Sequence, residues 1–183
     1  MKINLVILAA GNSSRFPTNK LLYELHGKTM IQHTLEKGLQ LPFYKRVVVT
    51  QYAEIEEYAK YYGYQFIRNT QPEKGIAQSM KLGLQACMNS DYIMFLVADQ
   101  PWLKVKTLQT MIECCDDEHI ICASYQGQCR NPILFPFYLY KELLTLHGDK
   151  GGSQLLHQYV NKIIKVTCSK EEVHDIDTIE DVK

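Results

Sequence analysis

The sequence has no excess of either charge, since lysine and arginine total 20 and aspartate and glutamate also total 20. A surface that binds nucleic acid is usually basic, so we expect no nucleic-acid partner. No apolar run reaches the roughly 20 residues that span a bilayer, and the N-terminus lacks the pattern of a signal peptide. These absences predict a cytoplasmic protein with no membrane partner. Such a protein must hold an anionic ligand with local charges and backbone donors.

Cysteine is present, but not in a pattern that indicates a disulfide framework or a metal site. The six cysteines form no C-x-x-C pair and no metal-type spacing with histidine. Several lie in apolar runs, as Cys122 does after Ile120 and Ile121, where cysteine behaves as a small hydrophobic residue. We therefore expect reduced cysteines that mostly serve packing.

Three motifs of familiar catalytic and nucleotide-binding sites are also missing. The chain has neither the G-x-x-x-x-G-K-[ST] of a Walker loop nor the G-x-G-x-x-G of a dinucleotide site. It has no G-x-S-x-G, so covalent serine catalysis has no support.

Apolar runs of strand length alternate with segments of helical periodicity along most of the chain. This order predicts an α/β fold with three layers (α/β/α) and a mostly parallel sheet, in a single domain over residues 1–183. Proline at both ends of the apolar stretch Pro132–Pro136 predicts a short or edge strand there. We predict strands at residues 3–10, 47–49, 64–67, 92–97, 119–123 and 163–166, and helices at 31–39, 55–62, 76–84, 105–115 and 138–146.

Ligands of open parallel sheets bind beyond the carboxyl ends of the strands. The loops after Ala10, after Val97 and before Thr178 should therefore meet in one crevice. The first loop has small residues whose backbone N–H groups can hold phosphate oxygens, with Arg15 and Lys20 as countercharges. An ordinary strand-to-helix turn with solvated basic residues is the alternative.

Two further segments have both a structural and a functional interpretation. Asp99 follows a buried strand, where it could bind magnesium or cap the next helix. Gly75 precedes a predicted helix, so its neighbouring N–H groups could face a ligand, with Ser79 one turn further on. The alternative is that Gly75 and Ser79 belong to an ordinary loop and helix start that contacts no ligand.

The segment Leu8-Ala9-Ala10-Gly11-x-Ser13-Ser14-Arg15-Phe16-x-x-x-Lys20 resembles the signature of nucleotidyltransferases with the nucleotide-diphospho-sugar transferase fold. Among these it is similar to the MobA-like family, and within that family to the branch of molybdenum cofactor cytidylyltransferases (MocA-like). Pro17 stands where the family usually has glycine and should stiffen the loop. The resemblance implies that Arg15 holds the triphosphate and that Lys20 neutralises charge near the α-phosphate.

Other segments extend the resemblance across nearly the whole chain. Ala98-Asp99-Gln100-Pro101 is similar to the family's G-D-x-P motif, and Asp175–Asp181 is similar to D-I-D-T-P-E-D. By this comparison Asp99 and Asp177 bind Mg²⁺, whereas Asp181 has no role beyond a solvated helix face. The resemblance also implies residues that contact substrates: Leu8, Ala9, Ala10 and Gly11 in the phosphate loop, Asn69, Gly75 and Ser79 at the nucleoside, and Asn131 and Asp149 beside the acceptor, where Arg130 or Lys150 would hold an anion.

The resemblance implies transfer of a nucleoside monophosphate from a nucleoside triphosphate to a phosphorylated acceptor, with release of pyrophosphate. The methyl group of Ala10 stands where the guanylyl branch has a second glycine, which favours CTP as donor and molybdopterin as acceptor. A molybdenum hydroxylase apoenzyme would then be a further partner. Two alternatives stay open: transfer to a sugar phosphate or methylerythritol phosphate, and a non-catalytic maturation factor that only binds molybdenum cofactor.

Overall fold

The structure is a computed structural model that describes residues 1–13, 15–16 and 18–182. Seven strands form one sheet and two short strands form a separate hairpin. The expected effect of Pro17, and the Ser14 of the signature, lie outside the described residues. The strands are β1 (Ile3–Ala9), β2 (Glu24–Leu25), β3 (Lys28–Thr29), β4 (Lys45–Thr50), β5 (Gln65–Arg68), β6 (Tyr92–Val97), β7 (Ile120–Tyr125), β8 (Gln128–Pro136) and β9 (Ile163–Thr167).

Helices connect most of the strands. They are α1 (Met30–Leu39), α2 (Ala53–Tyr61), α3 (Ile76–Gln85), α4 (Val105–Glu113), α5 (Tyr140–Leu143) and α6 (Ser153–Gln158), with short 3₁₀ turns at Lys20–Leu22, Pro72–Lys74, Phe137–Leu139, Val160–Lys162, Glu171–Val173 and Ile179–Val182. None of the helices in the described residues is both long and apolar enough to cross a bilayer.

The seven strands lie in the order β5-β4-β1-β6-β8-β7-β9. β1 pairs in parallel with β4 and β6, β4 with β5, and β7 with β9. Only β8 runs against its neighbours, β6 and β7. The prediction of a mostly parallel sheet is confirmed, and the carboxyl ends of β1, β4 and β6 meet at one edge.

The side chains of β1 alternate between two cores, because successive residues of a strand point to opposite faces. Leu5 and Ile7 pack in the core that contains Leu35 of α1 and Leu108 of α4. Val6 and Leu8 pack in the core that contains residues of α3, α5 and α6. Both faces of the sheet are covered, which is why β1 is a continuous apolar run.

The prediction of a short or edge strand at Pro132–Pro136 is wrong. β8 has nine residues and lies between β6 and β7 inside the sheet. Pro132 is tolerated because it falls where the register between β7 and β8 shifts, and Pro136 is the last residue of the strand. At neither position does strand pairing depend on the backbone N–H that proline lacks.

The expectation of reduced cysteines is wrong for one pair, because Cys122 and Cys129 are joined by a disulfide. They lie on the adjacent antiparallel strands β7 and β8, and their Cα atoms are 5.6 Å apart, within the usual range for a disulfide. The register places Ser124 opposite Cys129, so Cys122 reaches Cys129 diagonally beside the register shift, which sequence spacing alone does not reveal. The other four cysteines carry free thiols.

Candidate active site

A cleft of about 320 Å³ opens where β1 and β6 end. The loop after β1, the start of α3, and the side chains of Asp99 and Asp177 line it. The three loops therefore meet in one cleft, as predicted. The sheet itself positions this cleft, because β1 and β6 are parallel neighbours that end at the same edge.

Two side chains that follow β4 fix the loop after β1. Gln51 donates from Nε2 to the carbonyl oxygen of Ala10 at 2.9 Å, and to Oδ1 of Asn12 at the same distance. The hydroxyl of Tyr52 donates to the carbonyl oxygen of Gly11 at 2.8 Å. Among the described residues the amides of Gly11 and Asn12 donate to no other group. Within the described part of the loop, the carbonyls of Ala10 and Gly11 are therefore fixed and the amides of Gly11 and Asn12 are available as donors, as a phosphate-binding loop requires.

Lys20 is the centre of the charged side of the cleft. Its Nζ donates to Oδ2 of Asp99 at 2.7 Å, to the carbonyl oxygen of Ile176 at 2.9 Å and to Oδ1 of Asp177 at 3.3 Å. The Lys20 side chain is 13% exposed. Burial by itself lowers the pKa of this ammonium, but Asp99 and Asp177 raise it, and the net direction is upward. Lys20 is therefore a positive charge held by two carboxylates.

Arg15 pairs with the same group of acids from the solvent side. Its guanidinium lies 2.9 Å from Oδ2 of Asp177, and both side chains are exposed. Asp99 is more enclosed, and its Oδ1 is buried without a hydrogen-bond partner among the residues that the structure describes. A buried carboxylate oxygen with no partner is costly, so Asp99 has unused capacity to bind a cation.

The chain segment around Ile176 places Asp177 opposite Asp99. The amide of Ile176 donates to the carbonyl oxygen of Asp99 at 3.0 Å, and the Ile176 side chain is fully buried. Gln100 donates from Nε2 to Oδ1 of Asp175 at 2.9 Å. Desolvation, and then the negative charge of Asp99, raise the pKa of Asp175 to about 6. The segment is thus tied to the β6 loop by both backbone and side chain.

Asp181 has a structural role that the sequence interpretation as a solvated helix face missed. Its Oδ2 accepts from the amides of Asp177 and Thr178 at 3.0 and 2.8 Å, and from the Thr178 hydroxyl. The bond from the Thr178 amide is the largest cause that lowers the pKa of Asp181. Asp181 therefore caps the turn that carries Asp177.

A second cavity of about 250 Å³ adjoins the cleft and shares Leu8, Ile76 and Asp149 with it. Its lining is mostly apolar and includes Phe95 of β6 and Phe135 of β8. The polar side chains among its lining residues are those of Asn131, Asp149, Lys150 and Ser153. The two cavities are therefore neighbouring parts of one surface. The cleft carries the charged side chains, and the second cavity is mostly apolar.

Close backbone packing joins the segment 148–152 to the start of α3. Gly75 has a φ of +82°, and a Cβ there would lie 2.5 Å from the carbonyl carbon of Gly148. The amide of Ala77 donates to the carbonyl oxygen of Gly148 at 3.1 Å. At Gly152 a Cβ would lie 2.7 Å from the ring of Phe135. Glycine at positions 75 and 152 therefore permits this close packing, which a larger side chain would prevent.

Most of the predicted site residues lie on these two cavities. Asn69 does not: it is 2% exposed, and its Nδ2 donates to Oγ of Ser79 at 3.0 Å, so it braces a residue of the cleft. Arg130 is engaged with Gln128 at the surface. The cleft is lined by Leu8, Ala9, Ala10, Gly11, Arg15, Lys20, Gly75, Ser79, Asp99, Asp149 and Asp177, and the second cavity by Leu8, Asn131 and Asp149.

Sequence analysis also missed Gln51 and Tyr52. Part of the signal was available, because a strand at 47–49 in a mostly parallel sheet ends at the same edge as β1. That these two strands are neighbours was not predicted from the sequence. Among the described residues, no group of three histidine, cysteine, aspartate or glutamate side chains could hold a metal ion. The acidic side chains at the cleft thus offer at most a two-carboxylate site, which suits Mg²⁺ when phosphates and waters supply the other ligands.

Comparisons with known proteins agree with this geometry. Residues 5–163 match the model of the MobA-like NTP transferase domain. The purine catabolism protein PucB of Bacillus subtilis (strain 168) is 30% identical over 189 residues, which cover 96% of this chain and 92% of PucB. A probable molybdenum cofactor guanylyltransferase of Pyrococcus horikoshii is 34% identical over 86 residues, or 45% of each chain.

A solved structure confirms the predicted fold. The nucleotidyl transferase Mth528 from Methanothermobacter thermautotroptrophicus superposes with a TM-score of 0.87 and 25% identity, over 98% of this chain and 94% of that one. Together these matches support nucleotidyltransferase activity. The chain belongs to the family of proteins with a MobA-like NTP transferase domain.

Proposed function

We propose that this chain is a magnesium-dependent nucleotidyltransferase that transfers CMP from CTP to molybdopterin and releases pyrophosphate. The observation that carries the proposal is the convergence of Asp99 and Asp177 with Arg15 and Lys20 at one end of the cleft. Two acids and two bases beside a loop with free amides are the groups that nucleotidyl transfer requires.

Asp99 and Asp177 would hold the metal ion. The buried Oδ1 of Asp99 has no partner among the described residues, and carboxylate oxygen is the protein ligand that Mg²⁺ prefers. When bound, the ion supplies positive charge to the phosphate oxygens of the nucleotide.

The chain's own groups position the reaction and stabilise charge. Phosphoryl transfer of this kind depends on in-line placement and on stabilising negative charge on phosphate oxygens. The amides of Gly11 and Asn12, together with Arg15 and Lys20, would bind the leaving pyrophosphate. No side chain has to form a covalent intermediate, which agrees with the absence of a nucleophile motif in the sequence.

The cleft supports a nucleoside position next to Ala10, Gly75 and Ser79. Asn69 would act there indirectly, because its amide fixes the Ser79 hydroxyl. Ala10 lines the cleft, and its methyl group stands where the guanylyl branch of the family has glycine, which supports the choice of CTP.

The second cavity supports a ring-shaped acceptor. Leu8, Met80, Phe95 and Phe135 make its walls apolar, and Lys150 is the only cationic residue among the described residues that line it. Planar heterocycles bind well in such cavities, whereas a sugar phosphate would need more polar partners. A molybdenum hydroxylase apoenzyme as recipient stays a prediction.

Magnesium-dependent release of pyrophosphate from CTP, GTP, ATP and UTP, with and without molybdopterin, tests the proposal. We expect release that requires both CTP and molybdopterin. Ala10→Gly is the matched variant for the base, and it should raise turnover with GTP relative to CTP. Release that requires a sugar 1-phosphate instead of molybdopterin would overturn the acceptor assignment.

The partial similarity to a guanylyltransferase favours GTP as a second candidate donor. Preference of the wild-type enzyme for GTP over CTP would replace the cytidylyl assignment with a guanylyl one. No release with any triphosphate, together with binding of molybdopterin, would instead favour a non-catalytic maturation factor.

A further inference from the structure

The hydrogen bonds of Lys20 use all of its donors. An ammonium group has three protons, and Nζ has three acceptors within the chain: Asp99 Oδ2, the Ile176 carbonyl and Asp177 Oδ1. Lys20 therefore cannot also bind a phosphate oxygen unless it gives up at least one of these bonds.

The acceptors of Lys20 include both carboxylates of the proposed metal site. An ammonium and a divalent cation that bind the same two carboxylates repel each other and compete for the same oxygens. Arg15 adds a further positive charge at Asp177, with a distance of 2.9 Å. The acidic pair is thus already neutralised by the chain's own cations.

We propose that Lys20 is an internal cation that holds Asp99 and Asp177 together before the metal binds, and that a divalent ion displaces it. The displaced ammonium becomes available to the nucleotide phosphates. Metal binding and phosphate binding then favour each other, because the metal releases Lys20 to the phosphates and the phosphates draw Lys20 away from the carboxylates that bind the metal. This inference rests on the proposed metal site of the enzyme.

The opposite role for Lys20 predicts the opposite result. If Lys20 arranged the two carboxylates and stayed beside the metal, its removal would leave two repelling acids and weaken metal binding. The sign of the change in metal affinity therefore separates the two roles.

Binding of Mn²⁺ to the full chain without nucleotide, followed by electron paramagnetic resonance of the free ion, measures this sign. We expect Lys20→Met to bind Mn²⁺ at least about tenfold more tightly than the wild type, because hydrogen bonds between charged groups no longer have to be broken. Lys20→Arg keeps the charge and should stay close to the wild type. Lys28→Met removes a surface lysine paired with Glu36 and should change nothing.

Thermal unfolding gives a second readout that does not depend on activity. Lys20→Met should melt at a lower temperature than the wild type without metal, and saturating Mn²⁺ should raise its melting temperature by more than that of the wild type. Unchanged or weaker Mn²⁺ binding by folded Lys20→Met overturns the inference.

Failure of the proposed function would look different. Asp99→Asn and Asp177→Asn should each abolish Mn²⁺ binding if these residues form the metal site. If both variants bind Mn²⁺ as the wild type does, the metal site itself is wrong. If they lose binding while Lys20→Met shows no gain, only the displacement of Lys20 is wrong.

Discussion

The two adjoining cavities differ in chemistry although they share Leu8, Ile76 and Asp149. The cleft takes Arg15, Lys20 and Asp99 from loops that follow the parallel strands β1 and β6, and Asp177 from the segment around Ile176. The second cavity is built largely from side chains of β6, the antiparallel strand β8 and the segment 149–153. The charged groups of the cleft thus lie beyond the strand ends, while the apolar cavity depends on side chains that pack against the sheet.

We expect the charged cleft to determine the reaction and the apolar cavity to determine the choice of acceptor. A change in the charged cleft should reduce turnover with every acceptor, because phosphate chemistry is common to all of them. A change in the apolar cavity should alter the affinity for one acceptor and leave the nucleotide unaffected. The following predictions test that division.

Asp99→Asn should have the largest effect and reduce kcat by about 100- to 1000-fold, the usual loss when a group that stabilises transition-state charge is removed. Pyrophosphate release at saturating nucleotide measures it. Asp117→Asn is a matched control, because Asp117 is exposed and its φ of +68° suits asparagine. Turnover within a factor of a few of the wild type for Asp99→Asn would contradict the role of the cleft.

Gly152→Ala should act on the apolar cavity alone. The new Cβ would lie 2.7 Å from the ring of Phe135 and 3.1 Å from the methyl group of Met80, so these two side chains, which line the cavity, must shift. We expect the KM of the acceptor to rise about tenfold and the unfolding free energy to fall by about 1–3 kcal/mol. Steady-state kinetics and urea unfolding measure the two effects. An equal rise in the KM of the nucleotide would break the division between the cavities.

Tyr52→Phe should loosen the phosphate loop. It removes the hydroxyl that donates to the Gly11 carbonyl oxygen, a bond worth about 1 kcal/mol. The KM of the nucleotide should rise about fivefold, since 1 kcal/mol corresponds to that factor, with kcat nearly unchanged. Tyr61→Phe is the control, because Tyr61 is 83% exposed. Loss of kcat without a change in KM would contradict a positioning role.

Lys37 should make the unfolding free energy of the protein depend on pH. Its Nζ donates to the carbonyl oxygens of Gln100 and Pro101, and burial lowers its pKa to about 8. From about pH 8 to the ordinary lysine pKa near 10.4, the unfolded chain binds more protons than the folded chain. The contribution of Lys37 to the unfolding free energy therefore rises with pH over this interval.

Urea unfolding of the wild type and of Lys37→Met at about pH 7 and about pH 9.5 measures this contribution. The difference, wild type minus variant, should increase at the higher pH. The same difference for Gly152→Ala should stay constant, since that substitution changes no titratable group. If the difference between the wild type and Lys37→Met decreased at the higher pH, the lowered pKa of Lys37 would be contradicted.

The parts of the site that depend on topology were predictable from the sequence. β1 and β6 are continuous apolar runs, and the strand-end rule then brought Asp99 next to the loop after Ala10. β8 was misjudged because proline is usually an edge signal, and only the register shift beside Pro132 explains why it is tolerated. The position of such a strand in the sheet is decided by its pairing with strands distant in sequence, which the local sequence does not reveal.

The side-chain partners within the site were not predictable. Arg15 and Lys20 could be named as cations, but their pairing with Asp99 and Asp177 depends on how the loops close over one another. Asn69 was expected at the nucleoside, yet it turns inward to Ser79. Hydrogen-bond direction is set by tertiary packing, which a motif does not specify.

The bonds of Lys20 to Asp177 and to the Ile176 carbonyl join residues 157 and 156 positions apart. A ribosome therefore has to release the chain as far as residue 177 before the charged end of the cleft can close. Until then a nascent chain has Lys20 and Asp99 but lacks the second carboxylate. Contacts of such long sequence separation form slowly, so the site is completed late and an unfinished chain should not bind metal there.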